Sequence, residues 1–353
     1  MQKGSLCRHD RLNLTLNLIL NLILKKNYIG RVLMTYTDKT ARRRQPAYLQ
    51  FYPTLKCNYS CNFCFNRELS GADDASVEDF NKMVSVCKAQ GIRHIDILGG
   101  EPTLHPDLFD MLDIIVRSSM MTTISSNGSR VEALLKISER YPRDSVRLGI
   151  SVNSAKIPES LHQYILVHRP ILKTVFAKQD LIPESLTPYI GLQGVDFYLL
   201  YRDVLNPDDL AYSIGFKDFY TRLCNIRKAY DGVDGVFCAG FIPDKEAFPE
   251  LEYVRCPAGT TKLSVMPDGS VYPCYLLFKY KEFELGNIFH DDFNAIWDHP
   301  ILNEFRIFYQ NQCPETACQL HDECHGGCPA ISYMFFKHLK APDPRCVNIA
   351  NGV

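Results

Sequence analysis

Just after the apolar run AYLQFY (47–52), the stretch CNYSCNFC sets Cys57, Cys61 and Cys64 in a C-x3-C-x2-C loop. Thiolates bind soft metals and iron-sulfur clusters. Three of them on one short loop can hold three corners of a cubane and leave one iron without a protein ligand, open to a substrate. A structural zinc site wants a fourth Cys or His close by, and the nearest histidines, His94 and His105, lie 30 residues or more further on. A second group, Cys256, Cys274, Cys313, Cys318, Cys324, Cys328 and Cys346, lies toward the other end. These seven with His290, His321 or His325 could supply eight ligands for two zinc sites, or the thiolates could hold clusters. Cys7, Cys87 and Cys224 belong to neither group and read as buried apolar thiols.

The elements that position the first group follow a βα rhythm from residue 47 to about residue 240. The strand candidates are AYLQFY, HIDIL, MMTTISS, SVRLGISV, KTVFA and VDFYLL. Between them, Val77, Phe80, Val84 and Cys87, then Leu108, Met111, Leu112 and Ile115, stand at helical spacing, as do the stretches 131–140 and 216–230. About six parallel strands, open or closed into a partial barrel, would carry active residues at their C-terminal ends. Gly99-Gly100-Glu101-Pro102, Ser125-Ser126-Asn127-Gly128 and Ser151-Val152-Asn153 stand at such ends, as do Tyr198, Tyr201 and Arg202, candidates for pocket lining. Alone, the first two would read as turns and Phe63 as core.

Residues 1–46 read as a helix (Leu12 to Leu24) and a solvated linker around Arg42, Arg43 and Arg44. Residues 241–353 read as a cysteine-rich unit held together by metal. It contains one hairpin turning at Pro267-Asp268-Gly269 and one amphipathic helix around Phe293, Ile296 and Trp297.

Composition narrows the function. With 353 residues there is room for about two domains. Lys and Arg total 39 against 40 for Asp and Glu, so no sign excess draws the chain to nucleic acid or a membrane surface. The Leu12 to Leu24 segment is too short to span a bilayer and lacks a signal-peptide cleavage site. Fourteen cysteines without a secretory signal fit a reducing cytoplasm, where clustered thiols bind metal rather than form disulfides.

Taken in order, the cysteine loop with Phe63 before its third thiol, GGEP, SSNG and SVN resemble the radical SAM family, and the resemblance spans Ala47 to Cys346. It implies an α/β fold, a partial (β/α)6 parallel barrel, with a 4Fe-4S cluster on Cys57, Cys61 and Cys64. It also implies S-adenosyl-L-methionine as cofactor, met by Phe63, Gly99, Gly100, Glu101, Ser126, Asn127, Ser151 and Asn153. In that reading Glu101 offers an anion to the methionyl amino group, and the two glycines let backbone approach the ligand. Reductive cleavage of the cofactor gives a 5'-deoxyadenosyl radical that takes a hydrogen atom from substrate. An electron donor such as flavodoxin or ferredoxin is implied.

The later cysteines resemble the SPASM extension of sulfatase maturases, quinone-cofactor enzymes and peptide thioether synthases, with C-x4-C at Cys313 and Cys318 where the family has C-x2-C. The resemblance implies one auxiliary 4Fe-4S cluster on Cys313, Cys318, Cys324 and Cys346. Three corners of another fall to Cys256, Cys274 and Cys328, making three clusters in all. The fourth corner is either Cys238 or an open iron that binds substrate. Sulfatase maturases carry an aspartate base after the second SPASM cysteine; Tyr275 stands there, and a phenol is a poor base at neutral pH, which argues against that activity.

The leading expectation is oxidation of a peptide or protein. Peptide maturases often carry a leader-binding domain larger than the 46 or so residues ahead of the first strand, so a separate partner or the core itself would recognise such a substrate. The alternatives are a radical SAM enzyme acting on a small molecule or cofactor precursor, and a non-enzymatic metal-binding scaffold.

Overall fold

The computed structural model describes residues 46–69, 72–154, 156–176, 184–230, 233–236, 256–306 and 312–347. Cys7, Leu12 to Leu24, Arg42 to Arg44 and Cys238 lie outside the described residues.

Strand β1 (Tyr48–Phe51) starts the sheet because its residues alternate. Leu49 and Phe51 are fully buried on one face, while Tyr48 and Gln50 stand on the other. The pattern repeats in β2 (His94–Ile97), where Ile95 and Ile97 are buried and His94 pairs with Asp96 at 2.7 Å on the opposite face. Strands β3 (Met121–Ser126), β4 (Val146–Ser151), β5 (Ile171–Phe176), β6 (Phe197–Tyr201) and β7 (Val233–Val236) follow, each parallel to its predecessor. Four helices cross over between them: α1 (Val77–Ala89), α2 (Leu108–Arg117), α3 (Val131–Arg140) and α4 (Glu159–His168). A fifth, α5 (Phe216–Ala229), leads into β7.

Ser76 starts α1 by accepting the Asp79 amide at 3.0 Å, which satisfies a donor the helix leaves open. Phe80, Met83, Val84 and Cys87 of α1, with Met111 and Ile115 of α2, pack on the Leu49, Phe51 and Ile95 face. A sheet buried by helices on both faces reads as continuous apolar runs, whereas these strands alternate. Their second face is polar. Lys173 donates to Ser125 at 2.5 Å across Gly149, where a β-carbon would sit 2.5 Å from the lysine chain. Such a face fits a cavity for a polar ligand rather than a second helical layer.

Among the described residues ten strands form one sheet in the order β10-β9-β8-β1-β2-β3-β4-β5-β6-β7. The 262–272 hairpin, β8 (Lys262–Val265) and β9 (Ser270–Tyr272), turns where the Pro-Asp-Gly signal predicts. Its first strand runs parallel to β1, so the cysteine-rich part extends the core sheet directly. Lys262 and Ser264 both donate to Gln50 of β1, at 3.0 and 3.1 Å. β10 is Gly286–Asn287. The remaining helices among the described residues are short: α6 (Phe293–Trp297), α7 (Asn303–Arg306), α8 (His321–Cys324) and α9 (Pro329–Phe336). The expected count of six parallel strands is exceeded by β7 and β8. β7 escapes the pattern because its sequence, VDGV, offers no apolar run.

Candidate active site

The cysteine loop leaves β1 at the C-terminal edge of the sheet, and the ends of β2 and β3 brace it. Gly100 N donates to Thr54 O at 2.9 Å and Glu101 N to Lys56 O at 2.8 Å. A β-carbon on Gly100 would lie 2.1 Å from Lys56 O, and one on Gly99, whose φ is +135°, 2.5 Å from Thr54 O. The close approach these glycines permit within the fold is to the backbone that carries Cys57, a packing role beside the one the resemblance gives them toward the ligand. Thr54, fully buried, donates to Asp74 at 2.6 Å, and Lys56 pairs with the same carboxylate at 2.7 Å.

Glu101 is fully buried. Its Oε1 accepts from Thr103 N, Thr103 Oγ1 and Ser126 Oγ at 3.1, 2.7 and 2.9 Å, and its Oε2 accepts from Asn127 N at 2.6 Å. A carboxylate has about four acceptor positions, so this one clamps the end of β2 to the end of β3. That is a second addition to the sequence reading, which gave Glu101 only a ligand to hold. Asn127 in turn donates to Asn58 Oδ1 at 2.9 Å, and Asn58 donates to Ser129 Oγ at 2.9 Å. The SSNG turn and the CNYSCNFC loop are thus stitched together beside Cys57. Asn58, Ser129 and Asp74 are missed by sequence reasoning; Asn58 lies inside the motif, but nothing marks the other two.

Cys57 is exposed, while Cys61 and Cys64 are half-buried. Burial, then the neighbouring Cys57, pushes the Cys61 thiol above its ordinary value. Burial does the same for Cys64, opposed by the Asn66 backbone and reinforced by Cys61 and Cys57. Thiolates crowded and desolvated in this way are relieved by metal cations, so the donor set fits an iron-sulfur cluster. The two nearest histidines are engaged elsewhere: His94 with Asp96, and buried His105 with Ala75 O at 3.0 Å. Ser151 is half-buried at the end of β4, whereas exposed Asn153 accepts from Val175 N at 2.8 Å and ties β4 to β5. Phe63 lies under the Arg202 guanidinium, 5.7 Å from its ring centroid.

Burial divides the seven later cysteines into two sets. Cys256, Cys274 and Cys328 are 5%, 3% and 1% exposed, while Cys313, Cys318 and Cys324 are half-buried and Cys346 is exposed. Burial, with the charges of Cys313 and Cys318, pushes the Cys324 thiol up to about 11, which puts those three sulfurs in one field, and Cys346 lies within reach of Cys324. The residues added between Cys313 and Cys318 form a turn closed by Cys318 N to Glu315 O at 3.0 Å. Among the described residues no three His, Cys, Asp or Glu side chains are drawn together around a single-ion site. His321 Nε2 lies 3.2 Å from Cys313 O. Outside both sets, Cys87 is fully buried as expected, but Cys224 is half-buried and disulfide-bonded, which corrects its reading as a buried thiol.

Tyr275 follows Cys274 and reaches back to the first loop. Its ring centroid is 4.7 Å from that of Phe65, the residue after Cys64, and its hydroxyl donates to Asp203 at 2.6 Å. Asp203 stands two residues beyond β6. Arg345 seals this end: Nε and Nη2 grip Asp343 at 2.9 and 2.8 Å, while Nη1 donates to Arg202 O at 2.8 Å. Asp343 also accepts from Cys328 N at 2.9 Å, so one buried ion pair ties a SPASM-type cysteine to the end of β6.

A mostly parallel α/β sheet with a three-cysteine loop at its C-terminal edge and a cysteine-rich extension defines a radical SAM enzyme. The chain belongs to that superfamily and carries a SPASM domain: the Radical SAM superfamily model matches residues 51–173, and the SPASM iron-sulfur cluster-binding domain model matches residues 256–329. These domains bind 4Fe-4S clusters and S-adenosylmethionine.

Among curated proteins the chain is similar to the antilisterial bacteriocin subtilosin biosynthesis protein AlbA of Bacillus subtilis, 24% identical over 310 residues, covering 80% of this chain and 67% of that protein. It is likewise similar to the mycofactocin maturase MftC of Mycolicibacterium smegmatis, 22% identical over 338 residues, with 86% and 83% covered. Among solved structures, Streptococcus suis SuiB bound to S-adenosylmethionine matches with a TM-score of 0.68 at 21% identity, covering 86% of this chain and 78% of that one. SuiB bound to its precursor peptide SuiA matches with a TM-score of 0.67 at 18% identity, covering 91% and 79%. Among the described residues no helix is long and apolar enough to cross a membrane.

Proposed function

We propose that this radical SAM/SPASM enzyme matures a peptide or protein, taking a hydrogen atom from one of its residues and leaving that residue oxidised. The observation that carries the reading is likeness across both halves of the chain to the subtilosin and mycofactocin biosynthesis proteins, together with a full set of seven SPASM-type cysteines. When bound, the reduced cluster and S-adenosylmethionine supply a carbon-centred radical strong enough to abstract hydrogen.

The chain's own residues do the rest. Cys57, Cys61 and Cys64 are the proposed ligands of the first cluster, on a loop kept in place by Gly100, Glu101 and Asn58. Phe63, Ser126, Asn127, Ser151 and Asn153 surround the proposed cofactor position at the strand ends. Cys313, Cys318, Cys324 and Cys346 are proposed for one auxiliary cluster, and Cys256, Cys274 and Cys328 for the other. Residues 47–240 form the proposed radical domain and 241–353 the SPASM domain. The Tyr275 hydroxyl donates a hydrogen bond to Asp203, so in this pair the carboxylate, with the phenol as relay, is the proposed proton acceptor. A flavodoxin- or ferredoxin-type donor and a cytoplasmic setting complete the reading.

Co-expression with small open reading frames encoded beside it, followed by mass spectrometry of the peptides, tests it. A peptide lighter by two hydrogens or carrying a new crosslink is expected. If every such peptide is returned unmodified while a metabolite transfers deuterium to 5'-deoxyadenosine, the substrate is a small molecule and the reading fails.

A further inference from the structure

Helix α5 opens at Gly215, which has no side chain to cap it, so its first amides take acceptors from outside the helix. Phe216 N finds one in Cys346 Sγ, 3.3 Å away and 130 residues further along the chain. Two other amide-to-sulfur bonds, Tyr59 N to Cys57 and Ala258 N to Cys256, both at 3.4 Å, reach only two residues back and come with their loops. The Phe216 bond instead joins the parallel core to a SPASM-type cysteine. Packing fixes both of its ends. The Tyr201 hydroxyl donates to Ile214 O at 2.6 Å, two residues before Phe216, and the Tyr201 ring lies under the Arg345 guanidinium, 4.2 Å from its centroid. Arg345 O lies 3.6 Å from where a β-carbon on Gly215 would stand, and Cys346 N donates to Asp343 O at 3.1 Å. Cys346 also lies in the field of Cys324, which lies in that of Cys313 and Cys318.

We propose that the Phe216 N–H is a positioning group for the auxiliary 4Fe-4S cluster on Cys313, Cys318, Cys324 and Cys346, and that its bond to the Cys346 sulfur raises the reduction potential of that cluster alone. The inference rests on the cluster assignment proposed above and adds to it a donor from outside the cysteine-rich unit. Reduction adds negative charge, part of which spreads onto the ligand sulfurs. A donated N–H and the positive end of a 14-residue helix both favour that charge. The expected effect is about fivefold in the equilibrium constant for reduction, which is about 40 mV at 59 mV per tenfold for one electron. The redox state of this cluster then depends on how the cysteine-rich unit sits against α5.

The test uses the full chain, reconstituted anaerobically with iron and sulfide, in three forms. These are wild type, Phe216→Leu, which keeps the N–H, and a protein with phenyllactate at position 216, which keeps the ring and puts an ester oxygen in place of the N–H. Redox titration followed by electron paramagnetic resonance gives a midpoint for each cluster. Wild type and Phe216→Leu share all three midpoints, whereas in the ester protein one falls by about 40 mV and two stay. With nitrogen-15 phenylalanine, pulsed electron paramagnetic resonance of the reduced wild type shows a coupling that Phe216→Leu loses. Loss of about four irons from the ester protein but not from Phe216→Leu also supports the proposal. Three unchanged midpoints at full iron content, a shift shared by Phe216→Leu, or a nitrogen-15 spectrum that Phe216→Leu leaves unchanged overturns it. A wild-type chain that takes up only about four irons, with zinc, removes the auxiliary clusters and the proposal with them, a result distinct from unchanged midpoints. No arm needs the natural substrate, so the outcome is independent of the proposed maturase activity.

Discussion

Replacing Gly100 by alanine asks whether the turn after β2 holds the cysteine loop in place. The added β-carbon would lie 2.1 Å from Lys56 O and 2.6 Å from Leu55 O, both backbone atoms that no rotamer change can remove. Restoring an ordinary carbon-oxygen contact of about 3.3 Å needs a shift of roughly 1 Å in the residue just before Cys57. That shift strains the bonds from Gly100 N to Thr54 O and from Glu101 N to Lys56 O, now 2.9 and 2.8 Å, each worth about 1 kcal/mol. With overpacking of about 1–3 kcal/mol, the local cost is about 2–5 kcal/mol. The expected result, read as iron and sulfide per chain after anaerobic reconstitution, is loss of the share held by the first loop and with it S-adenosylmethionine cleavage, while the SPASM share remains. Gly91→Ala is the control: it has a φ of +76° but nothing within 4 Å, so it costs about 1–2 kcal/mol of backbone strain and keeps its iron. A Gly100→Ala protein with wild-type iron content and cleavage rate would refute the brace.

Two further expectations can be measured directly. The Cys87 thiol, fully buried and pushed up to about 12 by burial, holds about a thousandfold less thiolate at pH 8 than an ordinary cysteine, so iodoacetamide labels it only after unfolding; labelling as fast as an exposed thiol in the native protein contradicts its place under α1. Arg345→Met leaves the Asp343 carboxylate, 2% exposed, without its cation at a cost of about 3–5 kcal/mol. Denaturant unfolding together with iron retention measures it, and a loss below about 1 kcal/mol means the pair does not tie Cys328 to β6.

The chemistry proposed for this protein is legible in local sequence because its candidate cluster ligands lie close together there. Cys57, Cys61 and Cys64 share one turn, and their thiols crowd together however the rest packs. The alternation of Leu49 and Phe51 with Tyr48 and Gln50 marks β1, and helical spacing places α1, α2, α3 and α5, since burial of one face imposes a period that sequence preserves. Strand β7 lacks such a period. That β8 pairs with β1 across some 200 residues was not legible, because parallel pairing is set by which edge remains open rather than by either strand's residues.

What only the tertiary structure decided is how distant groups share a task. GGEP announces a functional strand end, but that Gly100 must be bare for the Lys56 carbonyl, and that Glu101 binds β2 to β3, depends on atoms far away in the chain. Tyr275 on its own looks like a poor base; only the fold brings its hydroxyl within 2.6 Å of the Asp203 carboxylate. Arg202 and Arg345 are alike as letters. One grips Asp343 and the other is buried over the Phe63 ring, and that difference comes from packing that brings Asp343 within 3 Å of one guanidinium and leaves Asp209 3.9 Å from the other.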